Sequence, residues 1–423
     1  MSTRADLGTL EAGGLIEIAA LQPELEYLFR HALVQEAAYT SLLKQDRRSL
    51  HRAAAEIIMA LHPERARELA GVIGMHFEQA GDNARAAEQL VVAGEHALER
   101  FANRESLSFF SRAGNLADGS QMDLRLRAGI GGAKAGWTFV SSGTELEQLE
   151  KALAASEGGD KRLVAEGNFW VAFLLRQRGE VPESSPALRQ ALERAAQLGE
   201  ELKDPTAAAL PKALMGSFIG FTGNLREGAK QMREALDVIE KTGDAVSIAM
   251  ISDFLALAYS RMGEFKSAEQ TIERAMQFAS DADPISQVDV KIAQAGLDLE
   301  RGDAEAARRE ALDCATRAED MGAYACVVAS NVMFGAASLA QNDAPGARGP
   351  LERGSELCQV TNMAPMQTLL KGLLGSTRAR LGDLPGGPVR DADIADQPLA
   401  SHVVEGDSRF QVTLGAAGMV GER

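Results

Sequence analysis

Apolar residues recur every three or four positions along most of the chain, which is the spacing of an amphipathic helix. The clearest stretch, residues 250–279 (MISDFLALAYSRMGEFKSAEQTIERAMQFA), predicts two such helices joined at Gly263. A similar turn, a glycine or asparagine followed by a polar residue, recurs at Gly81, Gly143, Gly179, Gly223, Gly263, Gly302, Asn342 and Gly382. From Gly223 onwards the spacings are 40, 39, 40 and 40 residues. The pattern therefore predicts an internal repeat in which each unit is a helical hairpin.

Small residues stand where the two helices of each hairpin must approach closely. Around Gly263 they are Ala256, seven residues before the turn, and Ala268, five residues after it. The preceding repeat holds Gly216 and Gly228 at the same offsets. We expect these positions to serve packing, and we expect the turn glycine to end the first helix in a left-handed conformation.

This small–aromatic–glycine–small pattern resembles the tetratricopeptide repeat, although the period is longer than the family's usual length of about 34 residues. The resemblance implies an all-α fold, a right-handed solenoid of tetratricopeptide-like helical hairpins in which each repeat touches its neighbours. We place these repeats at residues 121–383, after a helical junction and first repeats at residues 46–120.

The beginning of the chain departs from the repeat. Two short β-prone runs, residues 15–18 and 25–29, predict a β-hairpin. Helical segments follow that contain the phrases FRHALVQEAAY (29–39), LHR (50–52) and HFEQAGD (76–82).

These phrases resemble the junction between a winged helix and helical repeats in signal-transduction ATPases with numerous domains, the STAND class. That class includes proteins with adenylate/guanylate cyclase domains and LuxR-type regulators with a helical-repeat sensor. The resemblance covers residues 10–115 and implies that residues 1–45 are a winged-helix remnant, a β-hairpin plus a helix. It also implies that the chain is the C-terminal arm of such a protein, or a stand-alone descendant of one.

The catalytic signatures of that class are missing from this sequence. Its ATPase uses a GxxxxGK[ST] phosphate-binding loop, and the chain contains no Gly-Lys dipeptide. The glycine-rich stretch 129–134 has the wrong spacing and falls inside a helical pattern. No serine lies in a GxSxG phrase either. We therefore predict a protein without catalytic residues and without a cofactor.

The net charge of the chain bears on which classes of partner are expected. The 423 residues include 60 acidic and 44 basic side chains, a formal net charge of −16, which makes nucleic acid an improbable ligand. One local cluster reverses this background, and it could contact a phosphate group or could be a solvated helix end. Its members, with the two residues at the preceding junction, are Arg30, His31, Lys44, Arg47, Arg48 and Arg52.

The histidines and cysteines do not indicate a metal site or a disulfide framework. Five of the six histidines lie in the first hundred residues, but their spacings of 20, 11, 14 and 20 match no metal-binding motif. We predict no metal, and we expect His31 and His51 to orient helices. The three cysteines are scattered, as free thiols of a reducing cytoplasm would be. The N-terminus lacks a signal peptide, and the uncharged run 321–342 predicts a buried helix rather than a membrane span.

The concave face of a helical solenoid is its usual binding surface. Counting 2, 3, 6 and 10 residues back from the turn glycines selects the candidates for binding a protein or peptide. The candidates are Phe169, Phe173, Arg176, Gln177, Phe221, Asp253, Leu257 and Arg261, continued by Ile292, Leu299 and Glu300. Phenylalanines exposed beside an arginine would suit a peptide groove. The alternative is that these phenylalanines belong to the core.

Residues 384–423 are rich in proline and glycine and predict a disordered tail. The function that this sequence favours is a non-catalytic protein- or ligand-binding module, the cytoplasmic sensor arm of a STAND-type protein. The alternative is the regulatory fragment of a nucleotide cyclase or a LuxR-type regulator. An upstream nucleotide-binding domain is a possible partner in either case.

Overall fold

The chain is almost entirely α-helical, as predicted. The computed structural model describes residues 3–20, 26–139, 143–156, 158–221, 223–279, 283–361 and 363–383. The predicted tail from residue 384 lies outside these ranges. The chain divides into two compact units, residues 1–92 and 93–423. The subdivision predicted at residues 45, 120 and 383 stays a prediction.

The first unit carries the two-stranded sheet found in the described part of the chain. Strands β1 and β2 are antiparallel, with Ile16 opposite Phe29 and an irregularity between Ile18 and Ala20, so the predicted β-hairpin is confirmed. The elements of this unit in chain order are α1 (Thr3–Ala12), β1 (Ile16–Ala20), β2 (Glu26–Phe29), α2 (Ala32–Ser41), α3 (Lys44–Leu61), α4 (Ala70–Ala80) and the start of α5 (Asn83–Glu99).

The second unit is a series of antiparallel helical hairpins, each packed on the next. Its helices after α5 are α6 (Asn103–Leu116), α7 (Met122–Gly136), α8 (Gly143–Ala154), α9 (Lys161–Gln177), α10 (Pro186–Glu201), α11 (Pro205–Phe221), α12 (Leu225–Ile239), α13 (Ala245–Arg261), α14 (Phe265–Phe278), α15 (Pro284–Glu300), α16 (Ala304–Met321), α17 (Tyr324–Ala340), α18 (Ala344–Thr361) and α19 (Ala364–Leu381). We call α9, α11, α13, α15, α17 and α19 the first helices.

The turns inside the hairpins follow the predicted chemistry. Gly263 has φ +73°, which an L side chain rarely adopts, and Asn342 takes the same left-handed conformation with φ 60°. Asp303 then caps α16, because its carboxylate accepts a hydrogen bond from the N–H of Ala306. Gly143 differs from the prediction, since it is the first residue of α8 and not the residue that ends the preceding helix.

The small residues of the hairpins are packing residues, as expected. Ala256 and Ala268 are fully buried. Between α11 and α12 the backbones approach so closely that a Cβ added at Gly228 would lie 2.5 Å from the carbonyl oxygen of Gly216. A side chain at either glycine would push the two helices apart. The short distance between α11 and α12 therefore depends on these two glycines.

Candidate binding cavity

A cavity of about 100 Å³, partly open to solvent, lies in the second unit. Almost all of its wall comes from first helices, and the remainder comes from Trp137 at the end of α7 and Met363 just before α19. The lining residues are Trp137, Phe173, Arg176, Gln177, Met250, Asp253, Phe254, Asp289, Ala325, Cys326, Ala329, Met363, Pro365 and Met366. Residues more than 200 positions apart in the sequence therefore share one site.

The cavity forms where distant repeats meet. The N–H of Ala325 in α17 donates a hydrogen bond to the carbonyl of Thr138, which follows α7, at 3.0 Å. Gly179, in the turn after α9, comes so close to the start of α19 that an added Cβ would lie 2.8 Å from the Cβ of Ala364. Phe139 is buried in the same core cluster as residues of α15 and α17. These contacts close the repeat array on itself around the cavity.

One side of the cavity is aromatic. Trp137 and Phe173 meet edge to face, with ring centroids 5.6 Å apart. Phe254 lies on the opposite helix, α13, with the Arg176 guanidinium carbon 4.1 Å above its ring centroid. This stacking is a cation–π contact, and a second face, Phe218, lies 5.8 Å from the same guanidinium.

Arg176 keeps its charge although it is enclosed. Burial lowers the pKa of its guanidinium to about 10, and the nearby Asp253 carboxylate opposes that shift. A pKa near 10 still leaves the side chain protonated at neutral pH. Arg176 is thus a fixed positive charge held between aromatic rings.

Two carboxyl groups face Arg176 across the cavity. Burial raises the pKa of Asp253 to about 7, although Arg176 works in the opposite direction. Burial raises the pKa of Asp289 well above its usual value, and the negative charges of Asp253 and Asp283 raise it further. Because the two carboxyls interact, the pair holds at least part of a proton at neutral pH.

The thiol in the wall is not a nucleophile. Burial raises the pKa of Cys326 well above its usual value, and the same cause raises the pKa of Cys314 to about 12 and of Cys358 to about 11. A thiolate is the reactive form of cysteine, so these three side chains are inert at neutral pH. The cavity is therefore equipped for binding by charge, aromatic faces and shape.

Four of the predicted concave residues come together here: Phe173, Arg176, Gln177 and Asp253. Leu257 and Arg261 instead line a small neighbouring pocket of about 10 Å³ with Phe254. Phe221 is the last residue of α11, and its side chain lies outside the described part of the chain.

The idea of phenylalanines exposed in a groove is wrong for α9. Phe169 and Phe173 are each only 2% exposed, and their rings pack against Trp170. Phe169 belongs wholly to the core, because an inner helix in a closed array is covered on both sides. Phe173 is a core residue whose edge reaches the cavity.

Sequence reasoning missed Asp289, Cys326 and the residues of α19. Along successive first helices the lining positions move towards the helix N-terminus. They lie 2 to 6 residues before the turn in α9, 9 to 13 before it in α13, and 16 to 19 before it in α19. A constant offset from each glycine therefore loses the site after the first repeats. One more helical turn, 13 residues before Gly263, Gly302 and Asn342, would have found Met250, Asp289 and Ala329.

The predicted basic residues of the first unit lie at separate contacts. Arg30 pairs with Glu17 at 3.3 Å, Arg47 lies over the Tyr39 ring, and Arg48 lies against Gly81. Lys44 and Arg52 are exposed on α3. The proposed phosphate contact of this cluster stays a prediction.

The histidines of the first unit form a junction that the sequence only partly indicated. His51 joins three helices, since its Nε2 lies 3.1 Å from the Tyr39 hydroxyl and its Nδ1 lies 2.8 Å from Nδ1 of His76. His31 is exposed before α2 and makes no capping hydrogen bond with its side chain. Within the described ranges, no three His, Cys, Asp or Glu side chains are grouped as metal ligands would be.

No helix in the described ranges has both the length and the apolar character needed to cross a membrane. No protein-family model and no curated protein sequence matches the chain.

Solved structures do resemble it. A STAND protein with a tetratricopeptide repeat sensor from Pyrococcus horikoshii aligns with a TM-score of 0.50 at 16% identity, over 91% of this chain and 56% of that one. The aspartyl phosphate phosphatase F of Bacillus subtilis gives 0.48 at 11% identity, over 73% and 76% of the two chains. Yeast Tom70 gives 0.39 at 13% identity, over 75% and 61%. The fold is that of a tetratricopeptide-like helical repeat protein, and the chain spans little more than half the length of the first of these structures.

Proposed function

We propose that the chain is the non-catalytic, ligand-binding sensor arm of a STAND-type signalling protein. The observation that carries this proposal is the cavity, whose walls join repeats from both ends of the second unit. A ligand in such a cavity adds contacts between helices that few protein contacts hold together, so its binding would favour the closed arrangement. The change in the arrangement of the repeats would then signal that the ligand is bound.

The first unit supplies the other half of the proposal. Its helices α2 and α3 and the turn between them carry large apolar side chains that stay exposed, including Leu33, Leu43 and Leu61. An apolar surface of this kind is typical of a protein-binding face. We propose that it contacts the nucleotide-binding domain that, in the STAND class, precedes the junction resembled by residues 29–82.

The output domain is a separate choice. The same arm would serve an ATP-dependent adenylate/guanylate cyclase or a LuxR-type transcriptional regulator, because the junction phrases resemble both. The three inert thiols and the missing phosphate-binding loop support a role without catalysis. Free cysteines support a cytoplasmic location.

The test is to fill the cavity. Ala329→Phe places a ring in the cavity, while Ala187→Phe adds the same ring to an exposed position of α10. Each protein is incubated with a size-fractionated cytosolic extract, and retained small molecules and peptides are weighed by native mass spectrometry. We expect the wild type and Ala187→Phe to retain a ligand that Ala329→Phe does not. Equal retention by all three proteins, or steady hydrolysis of ATP by the pure chain, would contradict the proposal.

A further inference from the structure

The charges around the cavity do not balance. Asp253 in α13 and Asp289 in α15 line it, and the buried Asp283 lies close enough to act on Asp289. Arg176 in α9 is the positive group in the described wall, and its guanidinium is occupied with aromatic faces. Cys326 in α17, which also lines the cavity, is a neutral thiol because burial raises its pKa. Three carboxyls thus stand against one cation.

Asp289 is the group with the least compensation. Among the described residues, no hydrogen bond or ion pair reaches its carboxyl oxygens. Asp289 is half-buried and lines the cavity. A carboxylate that is partly removed from water and has no partner is costly, and the raised pKa of Asp289, which favours the protonated form, reduces that cost. A bound positive charge would remove the need for that proton.

The rest of the wall suits an organic cation better than a metal ion. Ca²⁺ takes six to eight oxygen ligands and Mg²⁺ takes six, whereas this cavity offers two carboxyl groups. Trp137 provides aromatic surface in the same wall, and an aromatic face attracts ammonium and guanidinium groups through the ring quadrupole. The volume of about 100 Å³ accommodates one such head group with a short alkyl stem.

We propose that the cavity binds an alkylammonium or alkylguanidinium group, with Asp289 and Asp253 as its counter-ions. This inference rests on the proposed function, since it names the ligand class of the same cavity. The head group could belong to a free amine or to a lysine or arginine side chain of a peptide. Either source presents the same chemistry to the two carboxyls.

Binding of such a cation releases protons. The raised pKa values of Asp253 and Asp289 mean that the empty cavity holds protons which an incoming positive charge displaces. Affinity must therefore rise with pH through the range in which the empty pair titrates. The guanidinium of the ligand stays charged throughout that range, so the pH dependence reports on the protein.

The experiment is calorimetric titration of the full chain with agmatine, at pH 6 and pH 8 and in two buffers of different ionisation enthalpy. We expect binding at pH 8 with net proton release, and affinity about tenfold lower at pH 6. Asp289→Asn keeps the side-chain shape, and we expect it to weaken binding about tenfold or more. Asp320→Asn, at an exposed position of α16, is the matched control and should bind as the wild type does.

Three further probes separate the outcomes. Butyrate tests whether Arg176 draws an anion instead, and acetyl-arginine amide against agmatine decides between a peptide side chain and a free amine. No binding of agmatine at 10 mM, affinity unchanged in Asp289→Asn, or a preference for butyrate would overturn the inference. If Ala329→Phe blocks butyrate, the cavity remains a binding site and only the ligand class proposed here fails. The pH dependence of the wild type needs no variant, so a misfolded Asp289→Asn would not remove the test.

Discussion

The solvent exposure of large apolar side chains differs between residues 3–75 and the repeats of the second unit. Among the described residues, seventeen large hydrophobic side chains are exposed, and fifteen of them lie in the first 75 residues. Helix α2 has no buried residue and α3 buries only Ala55. The second unit exposes only Leu312 and Val360 of this kind among its described residues.

The difference shows that amphipathic patterning and burial are separate properties. Helix α3 and the helices of the repeats carry similar apolar spacing, but a repeat always has the next repeat to cover its apolar face. Helix α3 has no such successor over most of its surface. Its apolar face is consistent with the docking role proposed for the first unit. Substitutions in each unit can therefore measure whether the second unit is as tightly packed, and the first as open, as the exposures indicate.

We expect the largest loss of stability where the backbones of α11 and α12 touch. Gly228→Ala places a methyl group against the backbone of Gly216 and Gly220, so it should destabilise the second unit by about 2 kcal/mol. The matched control is Gly372→Ala in α19, where an added Cβ meets nothing within 4 Å, and it should be neutral or slightly stabilising. Urea unfolding followed by circular dichroism measures both. Equal stabilities would mean that α11 and α12 are not in close contact.

We expect the second-largest loss of stability at the contact between the turn after α9 and the start of α19, which closes the repeat array. Gly179→Ala should cost about 1–2 kcal/mol, because the residue has φ +85° and an added Cβ would also press on Ala364. Gly302→Ala shares the positive φ of +89° but has open space around it. The difference between the two variants isolates the contact between α9 and α19. Faster hydrogen exchange of α19 in Gly179→Ala alone would locate the change.

A smaller effect is expected from acid in the first unit. Burial lowers the pKa of His76, and the neighbouring His51 lowers it further. The folded state therefore binds fewer protons than the unfolded state, so stability is present above pH 6.5 and is lost as the pH falls below it. We expect local stability of α3 and α4 to fall by at most about 1 kcal/mol between pH 7.5 and 5.5.

Hydrogen exchange of residues 44–80, corrected for intrinsic rates, measures that loss. His76→Gln should remove most of the pH dependence, whereas His31→Gln, at an exposed site, should retain it. Identical profiles for all three proteins would show that the His51–His76 contact is not what senses the acid.

The smallest effect is expected at the exposed leucines. Leu33 is 78% exposed and Leu43 is 72% exposed, so serine at both positions should change the free energy of unfolding by no more than about 0.5 kcal/mol. Leu174→Ser in the core should instead cost several times more. A large loss of stability from the pair in the first unit would mean that this face is already covered.

The repeats could be predicted because each one is specified locally. The small residues Ala256 and Ala268, the glycine turns and the polar caps all act within one hairpin, so their spacing in the sequence is their spacing in the structure. The β-hairpin of the first unit was predicted for the same reason. Gly143 was assigned to the wrong position because its local sequence resembles a turn although the chain there begins a helix.

The cavity could be predicted only in part. Phe173, Arg176 and Gln177 were found by the offsets of 6, 3 and 2 residues before the turn of α9, and Asp253 by the offset of 10 before the turn of α13. Asp289, Cys326 and Met366 were missed because the inward-facing position moves along each successive helix. Phe169 was placed on the binding face, but the closed array buries it.

The sequence by itself determined the helical hairpin, its period and its tight turns, since those depend on neighbours within about forty residues. It also determined a chain with scattered thiols and no phosphate-binding loop. Only the tertiary structure decided that Thr138 meets Ala325 and that Gly179 meets Ala364. Small rotations between repeats accumulate along the array, and no local pattern records their sum. The accumulated rotation brings Arg176, Asp253 and Asp289 to one cavity. Because the carboxyl groups outnumber the single guanidinium there, the cavity is short of positive charge.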